Sequence, residues 1–112
     1  MSSVRAEVWT IADDGTTSNA IKKGPEDIIG IIMPTDAAMT GTKVSFYGSP
    51  DGVTYYPIKY QGTAVEVAIS TAATINLFAV EWLAGVQYVK IVSDAAEAGG
   101  PLTFTPVWRR FF

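Results

Sequence analysis

The chain has 112 residues and contains neither cysteine nor histidine. That length suits one domain with a real hydrophobic core, and the missing residue types exclude disulfide staples, zinc fingers, a Ser-His-Asp triad, a Cys-His pair and a haem histidine. Charged residues make up only 17% of the chain, the net charge is −3, and the basic residues are scattered apart from Lys22-Lys23 and Arg109-Arg110, which makes no nucleic-acid footprint.

The start, MSSVRAEVW, lacks the apolar core of a signal peptide. The longest apolar run, Ile28 to Met33, is far short of the ~20 residues that span a bilayer. The expectation is a protein made in the cytoplasm, with no membrane partner. Positive mean hydropathy with so few charges, against about 25% in ordinary soluble domains, implies an uncharged or apolar surface. Interface cores are depleted in charge in the same way.

Apolar and polar residues alternate in short runs punctuated by turn residues, the pattern of a sandwich or barrel, with about eight strands. Val4, Ala6 and Val8 alternate with Arg5 and Glu7 in a first strand, Val4 to Ala12, which Asp13-Asp14-Gly15 ends. Thr17 to Lys22 forms a second, closed by Gly24-Pro25. Ile28 to Met33 is apolar on both faces and reads as a central strand, with Gly30 marking a bulge or a close backbone approach. Pro34 to Gly41 is a loop.

Lys43 to Tyr47 then alternates, with Val44 and Phe46 inward. Ser49-Pro50-Asp51-Gly52 is the turn, and Val53 to Tyr60 the return strand. Val65, Val67 and Ile69 face inward, Ile75 to Val80 is a further strand, and Glu81 to Gly85 a corner with Trp82 over one end of the core. Val89 and Ile91 point inward in Gln87 to Ser93, Asp94 to Gly100 is a loop, and Leu102 and Phe104 point inward in the last strand, Leu102 to Val107. The fold class is therefore all-β: one antiparallel β-sandwich of jelly-roll type spanning residues 1–112, with a closed barrel as the alternative.

The acidic pairs Asp13-Asp14 and Glu26-Asp27 sit beside turn residues and read as turn chemistry. No spaced Asp-x-Asp-x-Asp-Gly loop accompanies them, so neither a calcium site nor a catalytic carboxylate pair is expected. No cofactor is implied. Alternation places Tyr56 and Tyr60 on one face of the return strand, as a sugar platform, a protein contact or simple strand packing. The end of the chain, Trp108-Arg109-Arg110-Phe111-Phe112, is poorly suited to water. Either it docks back on the domain or it enters a partner, with the arginines pairing to carboxylates there.

TSNAI (Thr17 to Ile21), GIIMP (Gly30 to Pro34), GTKVSFYGSPDGVTYYPI (Gly41 to Ile58), YVKIVS (Tyr88 to Ser93) and TFTPVWR (Thr103 to Arg109) together resemble the small capsid-decorating (cement) proteins of tailed bacteriophages. The resemblance implies a non-enzymatic virion protein on the outer capsid surface, with the major capsid protein as partner and a dimeric or trimeric homo-oligomer. It carries over no catalytic residue. Ser49 to Tyr55, followed by Tyr88-Val89-Lys90-Ile91-Val92, is also similar to the discoidin-type galactose-binding-like jelly roll, which makes a glycan-binding module the alternative function. An enzyme ranks third.

Overall fold

The computed structural model describes residues 6–34, 40–69, 74–98 and 101–109. Its strands are β1 (Trp9–Ile11), β2 (Gly15–Thr17), β3 (Ile21–Lys22), β4 (Asp27–Ile32), β5 (Lys43–Ser49), β6 (Tyr56–Pro57), β7 (Lys59–Tyr60), β8 (Thr63–Ala64), β9 (Glu66–Ala68), β10 (Ile75–Leu77), β11 (Tyr88–Glu97) and β12 (Leu102–Arg109). One turn of 3₁₀ helix, Val80–Trp82, precedes β11. A first sheet has the order β1-β12-β4-β10. A second runs β2-β11-β5-β6, with β3 also on β11 and β9 also on β5, and β7-β8 is a separate hairpin. Every pairing is antiparallel.

The two main sheets pack as a β-sandwich. Trp9, Ile11, Ile28, Ile31, Leu102 and Phe104 come from the first, and Ile21, Val44, Phe46, Val67, Val89 and Ile91 from the second, all within one buried cluster. Trp9 joins the layers. Its ring meets Phe46 edge-on at 5.9 Å, and its indole N–H donates to the carbonyl of Val89 across the core at 3.0 Å. A buried indole needs such a partner. Phe78 continues the aromatic packing against Phe46 at 5.4 Å, and Trp82 stacks on Phe78 at 5.2 Å, nearly parallel.

Twelve strands among the described residues replace the expected eight because several long runs break into short ones. The second expected strand is divided: Ser18 accepts from Ile91 N–H through its hydroxyl and separates β2 from β3. The first strand faces the other way from the expected alternation. Ala6 is exposed and Val8 half-buried, while Trp9 and Ile11 are buried; burying an indole and a branched chain outweighs burying alanine and valine. Val4 and Arg5 lie outside the described residues. β11 runs on to Glu97 through residues expected to form a loop, held there by Asp94 and Glu97, as described below.

β4 is central, between β12 and β10, as its two-sided apolar pattern requires. Gly30 serves both expected purposes. The pairing steps from Val107–Gly30 to Trp108–Ile28, so β4 carries a bulge, and a Cβ on Gly30 would lie 2.7 Å from the Asn76 carbonyl oxygen. The β5–β6 turn closes at Gly52 with φ of 81°, the left-handed conformation expected of a glycine there.

Candidate binding surfaces

The outer faces of the two sheets have opposite character. On the first sheet, register aligns Ile75 with Ile32 and Thr105, and Leu77 with Gly30 and Val107. The intervening Ile31 and Pro106 are buried toward the core, so Ile32, Ile75, Leu77 and Val107 share the outer side. Ile75 is 62% and Leu77 70% exposed, and both lie on β10, at the edge of the sheet. Thr103 and Thr105 extend the same face along β12, and Arg109 closes it at the far end, in register with Asp27.

The second sheet presents tyrosines and lysines instead. Lys90 lies opposite Tyr47, and Tyr88 opposite Lys22. The Lys90 ammonium sits 4.1 Å above the Tyr55 ring and that of Lys22 5.8 Å from the Tyr88 ring, contacts that stabilise by about 0.5–1 kcal/mol each at exposed sites. Burial, with Tyr88 and Asp51 nearby, pushes the Tyr55 hydroxyl above its ordinary pKa. Lys43 and Glu66 pair at 3.3 Å on the same sheet. This face satisfies its own charges; the first sheet's face leaves its apolar groups to water.

The expected tyrosine row does not form. The return strand breaks at Ile58, whose N–H donates to Phe46 and whose carbonyl accepts from Val65. Tyr56 stays on the second sheet opposite Gly48, whereas Tyr60 moves to the β7–β8 hairpin. The two rings line different grooves. Tyr56, 59% exposed, borders an apolar groove of about 270 Å³ with Ile58, Val86 and Pro57. Tyr60 borders one of about 210 Å³ with Gln61, Thr63 and Trp82. Trp108 packs half-buried against the core. Arg109 is exposed on the apolar face, and Arg110, Phe111 and Phe112 lie outside the described residues.

Sequence reasoning missed a buried acid. Glu97 is fully buried, and its carboxylate accepts from Thr40 N–H at 2.7 Å, Gly41 N–H at 2.8 Å and the Ser93 hydroxyl at 2.7 Å. Asp94 accepts from Thr42 N–H at 2.7 Å, from the Thr42 hydroxyl and from Lys43 N–H at 3.3 Å. The Thr42 hydroxyl and N–H hold Asp94 below its usual pKa. These two carboxyl groups clasp the segment that leads into β5, and Gly41 is the residue that fits between them: a Cβ there would lie 2.2 Å from the Ser93 hydroxyl. Backbone N–H groups donate to both acids, which ties them to the segment before β5.

No protein-family model, curated protein or solved structure matches this chain.

Asp14, expected in a turn, adopts φ of 63° and donates its N–H to the Glu97 carbonyl. Asp51 is held below its usual pKa by the N–H groups of Val53 and Thr54 and by the Ser49 hydroxyl, the chemistry of an Asx turn. Among the described residues no group of three or more acidic side chains is placed to hold a metal ion, and no helix is long and apolar enough to cross a membrane. What distinguishes the surface is the uncovered apolar face of the first sheet and the two small grooves.

Proposed function

We propose that this chain is a non-enzymatic structural protein of a tailed-phage virion, which seats the apolar face of its first sheet on the outer surface of the capsid and stabilises the shell. The observation that carries this reading is the pair Ile75 and Leu77, exposed on an edge strand and continuous with Ile32 and Val107. Monomeric proteins rarely leave such a face open, and a bare edge strand invites pairing with another chain. The capsid-decoration motifs and the low charge point the same way, and Arg109 would form the polar rim of the contact. The partner is the major capsid protein, and the protein works as a jelly-roll module in several copies, as a dimer or trimer.

Stabilisation follows from mass action. A protein that binds the assembled shell and not the loose coat shifts the equilibrium toward the intact particle, and an oligomer attached at several points gains avidity without a strong single contact. The test is cosedimentation with shells assembled from a tailed-phage major capsid protein. Burying one exposed aliphatic side chain is worth roughly 1.5–3 kcal/mol, so Leu77→Lys should weaken binding by about tenfold or more per site. Val53→Lys, at the 81% exposed hairpin tip, should leave it unchanged. Equal sedimentation of wild type and Leu77→Lys would rule out this face as the contact.

A further inference from the structure

The groove between the β7–β8 hairpin and the 3₁₀ turn is built differently from the rest of the surface. Its aromatic lining residues are Tyr60 and Trp82, and its polar-side-chain lining residues include Gln61 and Thr63. No charged residue lines it. Phe78 lies nearly parallel against the Trp82 ring at 5.2 Å, itself edge-on to Phe46 in the core. The indole is therefore held by Phe78, and Trp82 also lines the groove.

Gln61 supplies a second observation. The hairpin turns through Gln61 and Gly62 with φ of 51° and 81°, both left-handed, as a two-residue turn of this kind requires. Glycine or asparagine is the residue that suits the first of these positions. A glutamine there bears a conformational cost, and Gln61 lines the groove.

Rigid aromatic surface, an amide, a hydroxyl and no net charge select a ligand with an apolar ring face, hydroxyl groups at its edge and no charge of its own. At about 210 Å³ the space is below the range of drug-sized pockets and suits one ring. We infer that this groove is a binding subsite for a single neutral sugar ring, which stacks on Trp82 and Tyr60 and hydrogen-bonds to Gln61 and Thr63. The site is separate from the apolar face of the first sheet and does not depend on shell binding.

The test follows the Trp82 indole N–H resonance, assigned with Trp82→Phe, during titration of the full chain with the methyl glycosides of glucose, galactose, mannose and N-acetylglucosamine. Inorganic phosphate is the charged control. A saturable shift with at least one glycoside and none with phosphate is expected. Gln61→Gly relieves the positive φ, so its melting temperature should not fall, while its glycoside affinity should drop about tenfold with the lost amide contact. Thr63→Ala, at an exposed position, should weaken binding in the same direction. The inference is overturned if no glycoside moves the resonance, if phosphate moves it equally, or if Gln61→Gly binds as wild type does.

Discussion

Replacing Glu97 by glutamine keeps the size of the side chain and exchanges one acceptor oxygen for an NH₂ donor. In the folded protein Oε1 accepts from Thr40 N–H, and Oε2 accepts from Gly41 N–H and the Ser93 hydroxyl. The hydroxyl can rotate to accept from the new amide; the two backbone N–H groups cannot. If the amide nitrogen replaces Oε2, it opposes Gly41 N–H, and if it replaces Oε1, it opposes Thr40 N–H. Either way one donor loses its acceptor, at a cost of about 1–3 kcal/mol. Glu97→Ala removes both acceptors and leaves a cavity, which raises the loss to roughly 2–5 kcal/mol. Against a typical total of about 5–15 kcal/mol, both variants should still fold. Urea unfolding followed by tryptophan fluorescence should show lower midpoints with unchanged slopes, in the order wild type, Glu97→Gln, Glu97→Ala. A Glu97→Gln midpoint equal to that of wild type would refute the clasp.

Gly30→Ala would place a methyl group 2.7 Å from the Asn76 carbonyl oxygen and 2.9 Å from Leu77, and should cost about 1–3 kcal/mol by overpacking; hydrogen exchange should quicken most in β10. Trp9→Phe keeps an aromatic ring but leaves the Val89 carbonyl without its buried donor, a loss of roughly 1–3 kcal/mol readable as a lower melting temperature. Asp51 and Asp94 both have pKa values below the ordinary 3.8. Depressed values stabilise the fold above the unfolded pKa, and that contribution is lost as pH falls through the folded pKa. Stability should therefore decline below about pH 4, and Asp94→Asn should show a flatter acid limb than wild type in melting curves taken across that range.

Much of the fold was legible because alternation is a local signal. Val44 and Phe46, Val65 and Val67, Val89 and Ile91, and Leu102 and Phe104 face inward as their spacing indicates, and the Pro50-Asp51-Gly52 turn closes where its residues demand. The first strand was misread because alternation has two possible phases, and only the size of Trp9 and Ile11 selects the right one. The extension of β11 to Glu97 was not legible. It depends on hydrogen bonds to Thr40 and Gly41, 57 and 56 residues away, and no local pattern reports a partner so distant. For the same reason Tyr56 and Tyr60 read as one row. The break between them is made by Ile58 reaching Phe46 and Val65, not by any turn residue in the run. The apolar face went unseen because Ile75 and Leu77 look like any inward pair; only their register with Ile32 and Gly30 puts them outside.

A contact made by the apolar face of the first sheet carries a thermal signature. Removing Ile75, Leu77 and their neighbours from water lowers the heat capacity on association, and the attraction between such groups weakens on cooling. If the proposed shell contact is made by this face, particles carrying the protein should shed it in the cold and keep it as salt rises, since added ions screen charges and this face has few to screen. A protein held through the lysines of the second sheet would behave in the opposite way, so chilling and salting the same particles shows which side faces the shell.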